Sequence, residues 1–129
     1  MSIVSDVKER GLEAVREWAL RLDGVEPQRA VADAEGLPRE ALLQLADRVR
    51  RWHGAQRPAD ISLEVEPGVT LERRWLALDT VGVYVPRSLI STLVMCVVPA
   101  QVAGVRRIVV CTPPDGAARI AAAADLLGV

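Results

Sequence analysis

Apolar positions recur at helical spacing over the first part of the chain. Val7, Ala14, Val15, Trp18 and Leu22 share one face of a helix predicted over residues 5–22, while Glu9, Glu13, Arg16 and Glu17 turn to water. Asp23-Gly24 is a stop signal, because glycine accepts the left-handed conformation a helix end needs. Residues 25–36 show no period and read as a loop or a short helical turn. Pro38 suits the first turn of a second helix, whose stripe is Leu42, Leu45, Ala46, Val49 and Trp52 and which fades between Gly54 and Pro58.

The period then drops to two. Ile61, Leu63 and Val65 alternate with Ser62, Glu64 and Glu66, and after the turn signal Pro67-Gly68 the alternation resumes at Val69-Thr70-Leu71-Glu72. Residues 61–75 are therefore a predicted β-hairpin, wet on one face. Val81 to Val85 is a short apolar strand closed by Pro86, and a helix follows over about 90–103. Arg106 to Cys111 makes another apolar strand, punctuated by Pro113-Pro114, before an alanine-rich helix over 116–127. Two strands joined by a helix lie parallel with a right-handed crossover. The expected class is α/β: N-terminal helices, a β-hairpin, then a β-α-β-α half with a small parallel sheet. A single domain is expected over 1–129, with a helical part at 1–58 and the hairpin and β-α-β-α part at 61–129. A parallel sheet needs cover on both faces and rarely stops at two strands. Since Val129 comes where a third strand would be expected, either the hairpin or another chain is expected to complete the layer.

Charge sharpens this division. Residues 1–80 hold 12 basic and 15 acidic side chains, and residues 81–129 hold 4 and 2. No charge falls between Ser88 and Val105. Pro99, Gln101, Ser88, Ser91 and Thr92 interrupt that run and basic residues flank both its ends, so a buried helix is the better reading than a membrane span. The N-terminus has no apolar core of a signal peptide, which makes the cytoplasm the expected compartment. A net charge of −1 gives no field for nucleic acid or anionic lipid. Arg50-Arg51 and Arg73-Arg74 are interspersed with acids and read as solvated faces.

Candidate chemistry is sparse. His53 is the one histidine, and Cys96 and Cys111 sit on apolar segments as expected buried fillers, so no metal site and no disulfide framework are expected. His53 is expected at the end of the second helix, where its charged form suits the dipole, and Gln56 is expected to bond nearby backbone. Trp18, Trp52 and Trp75 carry most of the aromatic area in a chain without phenylalanine, and each could anchor the core or a subunit contact.

A succession of short motifs supplies a further handle. Val81-Gly82-Val83-Tyr84-Val85-Pro86, then Leu93-Val94-Met95, then Val98-Pro99-Ala100-Gln101-Val102-Ala103-Gly104-Val105, then Thr112-Pro113-Pro114 resembles the N-terminal part of histidinol dehydrogenases, which carry VGLYVPGG, VLM, IPAKVAGV and TPP. Arg10-Gly11 with Glu13-Ala14, Leu22-Asp23-Gly24-Val25 and Trp52-His53-Gly54-Ala55-Gln56 are similar to that family's RGDEA, FDGV and FHxxQ. The resemblance implies that the β-α-β-α half is Rossmann-like. It implies an origin in an NAD- and zinc-dependent enzyme that oxidises L-histidinol through the aldehyde to L-histidine. The family's zinc ligands and its glutamate–histidine pair match positions further along than Val129, so none is carried over.

One carry-over is Tyr84, which matches a tyrosine that contacts NAD. The loop after it departs from the pattern. Arg87 to Thr92 holds six residues and no glycine, where the family has two glycines and about nine residues. Glycines there let a pyrophosphate approach backbone N–H groups; Arg87 and Ser88 could reach a phosphate only by side chain. Two functions stay open. One is a non-catalytic assembly module, expected to form a homodimer or to pair with a partner subunit. The other is a fragment or split subunit of the dehydrogenase. For this chain alone no cofactor is expected.

Overall fold

The computed structural model describes residues 2–87 and 89–129. Its elements run α1 (Ile3–Arg10), α2 (Leu12–Asp23), α3 (Arg39–Gln56), β1 (Ile61–Glu66), β2 (Val69–Arg73), β3 (Thr80–Tyr84), α4 (Ile90–Val102), β4 (Arg107–Cys111) and α5 (Ala117–Leu127). Contacts group them into two compact units, one ending at Ala30 and the other spanning 31–129. The mixed α/β class expected from the pattern is what the chain adopts.

In the first unit the single helix expected over 5–22 is instead two. Ser2 caps α1 by accepting a hydrogen bond from the Ser5 N–H, so the helix starts early. Gly11, at φ 62° and ψ −132°, breaks it, a conformation only glycine adopts without strain. The break frees α1 and α2 to meet through polar side chains. Asp6 is buried, takes two hydrogen bonds from Arg10 (2.7 and 2.8 Å) and accepts a third from the Trp18 indole (2.7 Å). Arg10 also donates to Glu17 at 2.8 Å. Leu22, expected on the buried face, is exposed.

In the second unit β3 and β4 pair in parallel, with Val81 opposite Ile108 and Val83 opposite Val110. Those four side chains share the inner face, on which α4 packs. Leu93, Val94, Val97 and Val98 of α4 are fully buried, as is Val85 just past β3. Ile120, Ala123 and Leu127 of α5 and Leu42 and Ala46 of α3 complete this core. The absence of charge between residues 88 and 105 is thus explained by burial of the helix within it. Gln101, though polar, is accommodated because its side-chain amide donates to the Leu127 carbonyl at 2.7 Å, tying α4 to the end of α5.

The hairpin forms where expected, with Leu63 opposite Leu71 and a bulge between Glu64 and Glu66 beside the Pro67-Gly68 turn. Its expected buried face is not buried: every residue of both strands is exposed. The hairpin therefore does not complete the parallel sheet, and the two sheets are separate.

Candidate functional site

The carboxyl ends of parallel strands, where helices begin, are the usual place for chemistry in such a sheet. Here β3 runs into a turn at Pro86–Arg87 and β4 into Thr112-Pro113-Pro114. The two exits are tied together. The Val85 N–H donates to the Cys111 carbonyl at 2.8 Å, and the Thr112 hydroxyl donates to the Arg87 carbonyl at 3.1 Å. Arg87 has φ 45°, and no other non-glycine residue among those described has a positive φ. A turn that glycine would enter freely is thus made by a residue with a Cβ, and its backbone carbonyl is held by the Thr112 hydroxyl. Ser88, the other side chain considered for a phosphate, lies outside the described residues.

Tyr84 ends β3 on the sheet's outer face, 64% exposed. By the strand register that face consists of Thr80, Gly82 and Tyr84 beside Arg107, Val109 and Cys111, all exposed. Cys111 and Cys96 were expected as buried fillers, and both are exposed: Cys111 points outward by alternation, and Cys96 lies on the flank of α4 away from its buried residues. The same flank exposes Met95.

The other sequence candidates scatter. His53 is in the last turn of α3 as expected, half-buried, and Gln56 ends that helix in solvent. Arg51 pairs with Asp47 at 2.9 Å, Arg74 with Glu72 at 2.7 Å, and Arg73 lies over the Trp75 ring. Trp52 and Trp75 are exposed, and Trp18 is partly buried by its hydrogen bond to Asp6. A concavity at the start of α3, lined by Pro38, Arg39, Glu40, Ala41 and Gln44, includes none of the singled-out residues.

The perturbed ionisations lie elsewhere, in the α1–α2 pair. Hydrogen bonds from Arg10 and Trp18 pull Asp6 down to about 2. The Arg10 hydrogen bond also lowers Glu17, and Arg10 holds its own proton more firmly against the two carboxylates. Both Asp6 carboxylate oxygens and the Trp18 indole N–H are bonded within this cluster, so it acts as a clasp rather than as a reactive group. Sequence reasoning passed over it, although the signal was present: Asp6 and Arg10 stand at the i, i+4 spacing of helical ion pairs. Thr112 enters the sequence reading only as part of a motif, and Gln101 only there and as an interruption of the apolar run.

The zinc and the NAD that the sequence resemblance implies each make demands on these residues. Zinc needs about three converging protein donors. Among the described residues no three His, Cys, Asp or Glu side chains converge, and His53, Cys96 and Cys111 sit on different elements. A dinucleotide's pyrophosphate needs bare backbone N–H groups, whereas the Arg87 side chain stands at the turn where glycine would leave them open.

Comparison with known proteins gives one consistent result. The sequence model of the family described as histidinol dehydrogenase matches residues 1–129. The histidinol dehydrogenase of Mycobacterium bovis is 40% identical over 146 aligned positions, covering 98% of this chain and 33% of that protein. That of Idiomarina loihiensis is 37% identical, covering 94% and 30%. The alignment with the Mycobacterium bovis protein is longer than this chain, so the relative carries residues that this chain lacks within the matched span. The crystal structure of histidinol dehydrogenase from Elizabethkingia anophelis superposes with a TM-score of 0.68 at 23% identity, over 98% of this chain and 33% of that one, which supports the fold. The chain spans about a third of the length of these relatives. With matched motifs in order from Arg10 to Pro114, and similarity over nearly its whole length, it belongs to the histidinol dehydrogenase family.

Proposed function

We propose that the chain is a non-catalytic assembly module of the histidinol dehydrogenase type, pairing through the outer face of its parallel sheet with a polypeptide that supplies the rest of the family's length. One observation carries this reading. The β3–β4 sheet has an inner face packed by α4 and an open outer face, although parallel sheets are stable when both faces are covered. The open face runs from Thr80 and Arg107 at one end, through Gly82 and Val109, to Tyr84 and Cys111 at the other. Such a layout suits an interface that is apolar over most of its length and bordered by charge at one end. A cytoplasmic setting is part of the proposal, since two free thiols belong in a reducing compartment.

The test is co-expression with the Mycobacterium bovis relative from which the matching first third has been deleted. A one-to-one complex that Val109→Asp disrupts is the expected result. Failure of the two chains to associate overturns the proposal. The 40% identity to the Mycobacterium bovis enzyme supports a second reading, a fragment or split subunit of an active dehydrogenase. Histidinol-dependent NADH formation by the complex would select that reading; a complex without it would select the assembly module. Under the first reading NAD titrated into the chain alone binds no tighter than millimolar. A micromolar dissociation constant abolished by Tyr84→Ala would reverse the conclusion drawn from the Arg87 turn.

A further inference from the structure

The second half of α3 concentrates positive charge. Residues 48–57 hold four of the sixteen cationic side chains, Arg48, Arg50, Arg51 and Arg57, and no carboxylate; the nearest acids along the chain are Asp47 and Asp60. All four arginines are exposed. Among the described residues only Arg51 of the four takes part in an ion pair, with Asp47 at 2.9 Å. That pair is open to water, its side chains 80% and 53% exposed, so its bond exchanges readily with another carboxylate. The helix dipole does not account for the cluster. Its pull is confined to the last turn, where the basic residue is His53, and Arg48, Arg50 and Arg51 stand ahead of it.

Helical spacing sorts these residues. Leu42 and Ala46 face the core, and Val49 and His53, on the same side, are half-buried. Arg48, Arg51, Trp52 and Ala55, at i, i+3, i+4 and i+7, share the outward side. Trp52 is 65% exposed, and among the described residues no cation stacks on its ring, whereas Arg21 and Arg73 lie over Trp18 and Trp75. Toward the start of the helix Ala41 and Gln44 continue the stripe and line the concavity there. The stripe from Ala41 to Ala55 is about 21 Å long, roughly four turns. It offers guanidinium forks, which match carboxylates two bonds at a time, and beside them an indole for an apolar contact. Arginine and tryptophan are also the residue types that dominate binding at protein interfaces. From this charge complementarity we infer that the outer face of α3 docks an acidic amphipathic helix of another protein, its carboxylates on Arg48 and Arg51 and an apolar side chain against Trp52. A nucleic-acid strand suits the surface less well, since successive bases need successive rings and Trp52 is the one aromatic residue of α3. The contact is reversible and salt-sensitive, because exposed pairs are screened over about 8 Å at physiological ionic strength. It shares no residue with the outer face of the β3–β4 sheet and is independent of assembly there.

Isothermal titration calorimetry of the full chain tests this. The probe is a synthetic helical peptide of about four turns with glutamate at i and i+4 and leucine beside them on the same face. A second peptide carries lysine in place of glutamate, and a third probe is oligothymidylate. The glutamate peptide is expected to bind with a micromolar dissociation constant at low salt and at least tenfold more weakly at high salt. Arg48→Glu and Trp52→Ala are each expected to weaken it at least tenfold at low salt. Asp47→Asn is expected to tighten it severalfold, because Asp47 competes for Arg51. Since all these positions are exposed, far-UV circular dichroism should match wild type and exclude misfolding. No heat with the glutamate peptide, equal binding of the lysine peptide, an affinity unchanged by Arg48→Glu, or oligothymidylate bound as tightly as the glutamate peptide would overturn the inference. Val109→Asp is expected to bind the peptide as wild type does, so the two proposals fail separately.

Discussion

Around α4, Leu93, Val94, Val97 and Val98 lose all contact with water, whereas in the hairpin Ile61, Leu63, Val69 and Leu71 remain about half in solvent. Both segments carry a clean hydrophobic pattern, one with the helical period and one with a period of two. The difference lies in what the rest of the chain offers. Helix α4 is met by the inner sheet face, by α3 and by α5, so its apolar atoms are enclosed on most sides. The hairpin pairs only with itself. A hydrophobic period thus announces a face that wants cover, and it is silent on whether the same polypeptide provides it.

The largest effect that sharpens this contrast is expected at Leu93. It is wholly enclosed, and truncation to alanine leaves a cavity that rigid neighbours fill poorly. Leu93→Ala should cost about 2–5 kcal/mol in urea denaturation of the full chain. A cost below that range would show the α4 layer to be as loosely covered as the hairpin.

Most of the fold was legible because each period was long enough to define a face, and glycine and proline marked the ends. Parallel pairing of β3 with β4 followed from the intervening helix alone. The failures share a cause. The helix expected over 5–22 misses its break because the stripe from Val7 to Leu22 keeps its period across Gly11, while the deciding interactions are polar: Asp6 with Arg10 and Trp18. Cys96 and Cys111 were assigned to the interior because their neighbours are apolar, but alternation along β4 and the flank of α4 carry both outward. At the candidate site, the residue matching an NAD-contacting tyrosine was found at a strand end as expected. The positive φ at Arg87 could not be read from the sequence, because arginine normally avoids that conformation.

Between the two extremes stands the α1–α2 pair, held by hydrogen bonds instead of apolar burial. Gly11→Ala places a Cβ in a conformation reserved for glycine and should weaken the pair by about 1–3 kcal/mol, read as faster hydrogen exchange of the α1 amides. The same pair should respond to acid. Asp6 titrates at about 2 in the folded pair, below its ordinary 3.8, so the unfolded chain binds more protons between those values. The clasp's contribution is therefore complete above the unfolded value and is lost as the pH falls through about 2. Asp6→Asn should remove that acid-dependent step in the Trp18 indole N–H resonance. An unchanged acid profile would mean that the clasp does not hold α1 to α2.

A smaller effect belongs to Gln101, the polar residue that the α4 layer tolerates. Its amide donates to the Leu127 carbonyl, and Gln101→Ala removes the donor from a part-buried acceptor. A loss on the order of 1 kcal/mol is expected in the same urea titration. No loss would indicate that water replaces the amide and that the end of α5 is more open than the core it adjoins.

The smallest effect is expected at Leu71, and it is the direct counterpart of Leu93→Ala. The chemistry of the two changes is identical: a leucine loses three carbon atoms. At Leu71 those atoms are already mostly hydrated, and the loss is confined to the cross-strand contact with Leu63. Such pairs are worth roughly 0.2–1 kcal/mol, so Leu71→Ala should lower stability by a few tenths of a kcal/mol when measured at high dilution. A cost at Leu71 equal to that at Leu93 under dilute conditions would mean that the hairpin is buried in the monomer, and the contrast between the two regions would disappear.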